Sequence, residues 1–174
     1  MATRKIENLS LNLLSEFGLL KCPINLDKLA SKLNIRIEYQ DLDDEVSGFL
    51  VKKESKNIIG VNEYHHPVRQ RFTIAHEIGH YKLHVNQPLF IDYYKGSILY
   101  RSNNKPKNYI MEKEANQFAA SLLMPKKLIE EQLSKLPEDM DYEDKLYELS
   151  QVFKVSKQAM DYRLKSLGYY DYGF

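Results

Sequence analysis

Cysteine and tryptophan are almost missing from this chain of 174 residues, which has one cysteine, Cys22, and no tryptophan. A single cysteine allows no internal disulfide and cannot build a zinc cluster of the cysteine type. We therefore expect Cys22 to be a small buried apolar residue. A fold held together by internal disulfides is excluded.

The chain also lacks an excess of charge of either sign, because 25 basic residues are balanced by 24 acidic ones, for a net charge of +1. Such a chain has no overall field that would recruit nucleic acid or a membrane surface. No apolar run approaches the ~18 residues that span a bilayer, and the amino-terminal segment lacks the apolar core of a signal peptide. We expect a cytoplasmic protein with no membrane partner, built as one well-cored domain with at most a small appendage.

The chain contains the pattern His-Glu-x-x-His at His76, Glu77 and His80. On a helix the two histidines lie one turn apart on the same side, with the glutamate beside them. Two imidazoles in this arrangement can share a Zn²⁺ ion, and the carboxylate can take a proton from the water that zinc acidifies. The alternative is a surface helix with two histidines, but Ile74 and Ile78 make the opposite side apolar and suited to packing. The pattern predicts zinc-dependent hydrolysis of a peptide bond with Glu77 as general base.

A catalytic zinc usually takes three protein ligands, so one more side chain is needed. His84 follows the motif by another turn, but on a continuous helix it lies about 12 Å from His76 along the axis, too far to share an ion. His65 and His66 precede the helix and point in directions that the sequence does not define. The three histidines stay as alternatives to a carboxylate from elsewhere in the chain.

The better candidate for the third ligand lies on a helix predicted over residues 107–124. The apolar stripe of this helix places Glu112 nearer its inward side than Glu114, which lies on the other flank. Asn116 follows Glu112 by one turn, where its amide can orient a histidine ligand or steady the carboxylate. The alternative is that both glutamates are solvated charges near a helix amino terminus. We predict Glu112 as the third zinc ligand and Asn116 as its supporting residue.

Hydrophobic periodicity predicts an α+β fold in which a small antiparallel sheet packs against helices. Residues 86–108 carry several helix breakers and are predicted as a loop that either lines a substrate cleft or is a solvated insertion. The predicted helices are 6–17, 25–33, 67–84, 107–124, 128–136 and two further segments in the tail, and the predicted strands are 35–39, 46–51 and 57–62.

Two stretches taken together, RFTIAHEIGH at 71–80 and EKEANQFAASLLMP at 112–125, resemble the ImmA/IrrE family of metallopeptidases. The resemblance runs over about residues 25–125 and implies a zincin-like domain, which we place at 1–137. The spacing of the second stretch is similar to that of gluzincin sites, except that an amide stands in place of their supporting acid. The resemblance implies Zn²⁺ as cofactor with ligands His76, His80 and Glu112, Glu77 as general base, and Asn116 in the supporting position.

The resemblance also implies a substrate and a biological role. Family members are typically encoded on mobile elements or linked to stress responses, and the activity implied is cleavage of a helix-turn-helix transcriptional repressor. The chain would then be an anti-repressor whose partner is that repressor. The runner-up is a non-catalytic, zinc-containing transcriptional regulator that binds DNA or a repressor, and a hydrolase of a non-peptide amide comes third. The reaction needs a further donor for the developing oxyanion, and the candidates are Tyr93, Tyr94, Tyr100, His65 and His84.

The tail, residues 138–174, is predicted as a helical segment that resembles a helix-turn-helix. Val155 occupies the turn, and Ser156 caps the second helix. The second helix carries Lys157, Arg163 and Lys165 against Asp161, and residues 142–174 as a whole carry five basic and five acidic side chains, so the basic recognition helix that a DNA reader needs is only weakly developed. We expect packing or docking of a repressor for this segment in preference to DNA binding.

Overall fold

The computed structural model describes residues 2–53, 56–93 and 105–169 of the chain. Along the described part of the chain, helices come before, between and after four short strands that form one sheet. The predicted α+β class is therefore confirmed. In chain order the elements are α1 (Ala2–Glu16), α2 (Leu26–Lys32), β1 (Ile35–Gln40), β2 (Val46–Lys53), β3 (Lys56–Asn62), α3 (Pro67–Leu83), β4 (Leu89–Tyr93), α4 (Lys105–Leu123), α5 (Lys126–Leu133), α6 (Tyr142–Phe153) and α7 (Lys157–Ser166).

The four strands form one sheet in the order β1-β3-β2-β4. β2 runs antiparallel to both β3 and β4, whereas β1 runs parallel to β3. The sheet is therefore mixed, not wholly antiparallel. β3 follows β2 in a hairpin and lies between β2 and β1. β1 and β2 therefore run antiparallel to each other but are not adjacent.

The prediction of a continuous loop over residues 86–108 is wrong for Leu89–Tyr93, which forms the edge strand β4. Phe90 pairs with Leu50 and is 7% exposed, whereas its neighbours Leu89 and Ile91 are 47% and 43% exposed. Burial of alternate side chains is the pattern of a strand with one face on the core. The candidate donors Tyr94 and Tyr100 lie outside the described residues.

The packing of α3 against α4 places the functional side chains. The middle of α3, from Thr73 to His80, is wholly buried, although it includes two histidines and a glutamate. A Cβ atom on Gly79 would lie 3.1 Å from the carbonyl oxygen of Ala115, so the glycine allows the two helices to approach closely. The α4 side of this contact is apolar and fully buried, with Ala115, Phe118, Ala119 and Leu122.

The two carboxy-terminal helices pack on the same hydrophobic cluster as the sheet and α3. Ser156 caps α7, since its hydroxyl accepts a hydrogen bond from the Ala159 amide at 3.1 Å. Arg163 of α7 is 5% exposed and donates to the Met124 carbonyl oxygen and to the carboxylate of Glu7 in α1. The division of the chain at residue 137 stays a prediction. No helix within the described ranges combines the length and the apolar character that crossing a membrane requires.

Candidate metal centre

Helix α3 begins and ends at positions that the local sequence defines. Pro67 occupies its first turn, where the missing N–H is not needed, and His66 Nδ1 accepts from the Val68 amide at 3.3 Å. At the other end the His84 amide donates to the His80 carbonyl oxygen at 3.0 Å, and the helix stops. The helix is therefore regular through the His-Glu-x-x-His pattern.

Three side chains on two helices converge on one point. The Nε2 atoms of His76 and His80 lie 3.0 Å apart, and the two carboxylate oxygens of Glu112 lie 3.2 Å and 3.3 Å from them. Donor atoms around a tetrahedral zinc with bonds of about 2.0–2.1 Å are separated by about 3.3 Å. The spacing of the three protein donors therefore fits the coordination sphere of a zinc ion.

Hydrogen bonds on the far side of each ring define which nitrogen carries the proton. His76 Nδ1 lies 3.0 Å from Asn116 Oδ1, which is an acceptor, so this nitrogen is the protonated one. His84 Nε2 lies 3.1 Å from a carboxylate oxygen of Glu114 and donates to it, which leaves His84 Nδ1 to accept from His80 Nδ1 at 3.0 Å. Both Nε2 atoms are then lone pairs facing each other and the Glu112 carboxylate. Three electron-pair donors at this spacing repel one another, and a cation between them, whether a proton or a metal ion, stabilises the arrangement.

The charge states of the protein groups also favour a cation between the three donors. Burial opposes the charged form of Glu112, but hydrogen bonds with both histidines outweigh it and lower the carboxyl pKa to about 2. Burial also disfavours charged His76, yet the hydrogen bond with Glu112 and nearby carboxylates raise its pKa to about 9. For His80 burial dominates and lowers the pKa to about 4. The cluster thus keeps Glu112 ionised and accommodates one positive charge between the donors.

Glu77 is fully buried, and neither carboxylate oxygen has a hydrogen-bond partner among the described residues. Burial raises the pKa of Glu77 to about 8, and the charges of Asp92 and Glu112 add to the effect. His76, Glu77 and Asp92 form a second group whose donor atoms lie within 4.8 Å of one another. A buried carboxylate with no partner, next to a set of metal donors, is suited to accept a proton.

Strand β4 supplies two side chains of the site that the sequence did not predict. The ring of Phe90 stacks on His80 with 4.0 Å between centroids and covers one face of this imidazole. Asp92 lies 3.5 Å from Arg69, and burial, the first of several influences, raises the pKa of its carboxyl. The aromatic and β-branched residues in Leu-Phe-Ile-Asp-Tyr are the available signal for a strand, and the helix breakers around the stretch obscure it.

The structure brings together His76, Glu77, His80, Glu112 and Asn116, the five residues singled out from the sequence. The alternative ligands do not join them. His84 contacts His80 through its Nδ1 atom and lies behind the cluster, and His66 caps α3. His65 lines a neighbouring cavity, and the side chain of Tyr93 lies outside the described part of the chain.

Two histidines from a His-Glu-x-x-His helix and a glutamate from a second helix, in an α+β fold, form the ligand set that is typical of a zinc metallopeptidase. The family model described as the IrrE N-terminal-like domain of M78 peptidases matches residues 30–165. The chain therefore belongs to this metallopeptidase family.

A curated relative and a solved structure resemble the chain over different extents. A stretch of 82 residues is 38% identical to the radiation response metalloprotease IrrE of Deinococcus radiodurans, over 45% of this chain and 23% of that protein. The chain thus spans less than a quarter of the length of this relative. A transcriptional regulator from Mycobacterium tuberculosis superposes with a TM-score of 0.65 at 18% identity, over 93% of this chain and 46% of that one. At this identity the likeness shows the fold alone.

Proposed function

We propose that this protein is a zinc-dependent endopeptidase in which His76, His80 and Glu112 hold the ion and Glu77 is the general base. The observation that carries the proposal is the convergence of two imidazole lone pairs and one ionised carboxylate at separations of 3.0–3.3 Å. Membership of a metallopeptidase family supports the same conclusion.

The chain's own residues divide the work of hydrolysis between them. A zinc ion held by His76, His80 and Glu112 would supply Lewis acidity to polarise a carbonyl group and acidify water. Glu77 has two carboxylate oxygens without a partner, so it can accept the proton of the attacking water and return it to the leaving amine. Asn116 holds the His76 ring, and His84 with Glu114 holds the His80 ring, so that both Nε2 atoms stay directed at the ion.

The substrate that we propose is a helix-turn-helix transcriptional repressor, whose cleavage would relieve repression. The family implies a protein substrate, and the relative from Deinococcus radiodurans carries radiation response in its name. An anti-repressor of a mobile element or of a stress response is consistent with both observations. Mass spectrometry of a repressor encoded beside this protein, before and after incubation with it, identifies the scissile bond.

Replacement of Glu77 by glutamine separates metal binding from catalysis. Glu77→Gln should bind zinc as wild type does but lose cleavage by at least about 10²-fold, the usual minimum contribution of a general base. His76→Ala should lose both zinc and cleavage. Zinc content is measured by elemental analysis, and cleavage of the repressor by mass spectrometry. The matched control is Glu63→Gln at an exposed position, which should retain wild-type rates. A Glu77→Gln protein that cleaves as fast as wild type refutes this mechanism.

A non-catalytic regulator is the second candidate. The tight turn between α6 and α7, with Lys154 in a left-handed conformation, agrees with the helix-turn-helix predicted for the tail, and such a motif is common in regulators of transcription. Both lysines of α7 lie in ion pairs with carboxylates, which reduces the excess of positive charge that direct reading of DNA needs. Lys157 lies 2.7 Å from Glu143 and Lys165 lies 2.8 Å from Asp161. Incubation with the repressor distinguishes the candidates, since fragments indicate a peptidase, whereas an intact repressor with altered operator occupancy indicates a regulator.

A further inference from the structure

A cavity of about 1490 Å³ opens next to the metal centre, and we refer to it as the α1–α7 groove. Its walls are α1, the beginning of α3, one face of α4, and α7. Asn116, which accepts the hydrogen bond from His76, lines the groove, and so does Phe72, whose ring centroid lies 6.4 Å from that of His76. One end of the groove therefore reaches the residues that hold the metal ligands.

The floor of the groove is largely apolar and is longer than one side chain. Leu11, Phe72, Ala120 and Met124 contribute to it. Met124 directly follows α4 and lies eight positions after Asn116, which corresponds to about 12 Å along the helix axis. This length accommodates roughly two turns of a helix or about four residues of an extended strand. A segment of polypeptide fits these dimensions.

The rim of the groove is strongly basic, although the whole chain carries a net charge of only +1. The carboxylates among the described lining residues are Asp44 and Glu7, and Glu7 is already bound by Arg163 and Ser121. Six lysines and arginines line the groove, of which Arg163 is bound to Glu7 and Arg69 lies 3.5 Å from Asp92. The other four, Arg4, Lys113, Lys126 and Lys127, form the rim and are opposed within the described lining mainly by Asp44. Lys126 lies 3.6 Å from Glu130, with both side chains at least half exposed, and such a pair is weak.

We propose that the α1–α7 groove is the docking site of the protein substrate, which it binds through a segment that combines apolar side chains with carboxylates. The apolar floor takes the apolar side chains, and the basic rim attracts the acidic ones. Because Asn116 lines the groove, a segment bound in it is held directly beside the metal centre. The inference rests on the proposed function for the identity of the partner, but the binding itself does not require cleavage.

The test measures binding by fluorescence anisotropy with the full chain carrying Glu77→Gln, so that the probe is not consumed. The probe is a labelled peptide of roughly 12 residues that alternates leucine pairs with glutamates, a length that covers the groove as a helix. The comparison peptide has the same sequence with lysine in place of every glutamate. The acidic peptide should bind at least about tenfold more tightly than the basic one, and added salt should weaken its binding.

Two kinds of variant locate the binding. Lys126→Glu combined with Lys127→Glu should weaken binding of the acidic peptide by about tenfold, because two attractions become repulsions. Ala120→Trp, which fills the floor, should weaken it at any salt concentration. The matched control is Lys28→Glu combined with Lys32→Glu, which makes the same change of charge on α2, away from the groove, and should alter binding by less than about twofold.

Equal affinity for the two peptides, or acidic-peptide affinity that neither groove variant lowers, overturns the proposal. It is also overturned if a duplex oligonucleotide of roughly 20 base pairs binds more tightly than the acidic peptide and loses affinity with the groove variants. Wild-type protein that cleaves casein while neither peptide binds refutes the docking site and leaves the peptidase intact. Peptide binding as expected, with a repressor that stays whole, refutes the peptidase and leaves the docking site.

Discussion

His84 lies one turn beyond His80, and the Nδ1 atoms of the two rings are 3.0 Å apart. Its other nitrogen reaches Glu114 of α4 at 3.1 Å, which makes a chain of two hydrogen bonds from the carboxylate to the proposed zinc ligand. This chain fixes the tautomer and the orientation of His80. His84 would therefore influence an ion bound at the proposed site indirectly, through His80.

Removal of His84 should weaken zinc binding without removing a ligand. For His84→Ala we expect zinc affinity to fall by about 10–100-fold, the usual cost of losing a group that orients a metal-bound histidine. Competition with a chromophoric chelator measures this affinity. His84→Gln keeps an oxygen acceptor for His80 and should recover part of the loss. Wild-type affinity in His84→Ala would show that the hydrogen bond has no influence on the ligand.

Helical spacing could predict that His76 and His80 share a side, because that relation is local. It could not predict the contact of His84 with Glu114, because the position of α4 beside α3 results from packing between segments far apart in sequence. Glu112 was chosen over Glu114 from the apolar stripe of one helix, and both turn out to face α3 at different depths: one contacts His76 and His80, the other His84.

At the scale of elements, the close approach of α3 and α4 determines whether Glu112 reaches the histidines. Gly79→Val should destabilise the fold by about 1–3 kcal/mol, because the new side chain meets the Ala115 backbone and forces the helices apart. It should lower zinc affinity as well. Urea unfolding and zinc titration measure the two effects. Lys82→Val on the same helix is the control and should cost no more than the helix propensity of valine, about 0.5 kcal/mol. If Gly79→Val is no less stable than this control, the close contact does not limit the packing.

The sequence patterns predict where most of the strands lie but not how they pair in the sheet. Alternation predicts β1, and two further stretches joined by a polar turn predict β2 and β3. The observed bounds, Ile35–Gln40, Val46–Lys53 and Lys56–Asn62, agree with the predicted ones to within two residues. Their pairing was not predictable, because alternation says which face is buried and nothing about the neighbour. β4 was missed since a five-residue strand between helix breakers carries a weak local signal, and its pairing with β2 supplies the missing stabilisation.

At the scale of the whole molecule, a largely buried ion pair joins α1, near the start of the sequence, to α7, near its end. Arg163 donates to Glu7, which is 156 residues away in sequence, and to the carbonyl oxygen of Met124, while Ser121 donates to the same carboxylate. Burial alone would raise the pKa of Glu7, but the hydrogen bond and charge of Arg163 outweigh it, and the pKa lies below its ordinary value of 4.5. The pair fastens α1 and α7 to the end of α4.

The ion pair predicts a loss of stability in acid. Because the folded state depresses the pKa of Glu7, its contribution is complete above the unfolded value of 4.5 and is lost as the pH falls through the lower folded value. Glu7→Gln should be less stable at neutral pH by roughly 2–3 kcal/mol, below the cost for a fully buried pair because the Glu7 side chain is 25% exposed.

Urea unfolding from pH 7 down to about pH 3 measures both effects, since carboxylates titrate over the lower part of this range. In Glu7→Gln the decline of stability below pH 4.5 should be shallower than in wild type. Combining Glu7→Gln with Arg163→Met removes both charges and should recover part of the neutral-pH loss. An unchanged acid slope in Glu7→Gln would mean that other carboxylates govern it.

The proposed ligands come from two helices that leave the ribosome at different times. α3 is synthesised first, and until α4 has followed and docked, the nascent chain offers an incoming ion two imidazoles whose rings are not yet held by Asn116 and Glu114. Firm capture of the ion therefore waits for the helix pair to assemble. Under the proposed mechanism, a truncated translation product that stops between the two helices would release zinc readily and would not hydrolyse peptide bonds.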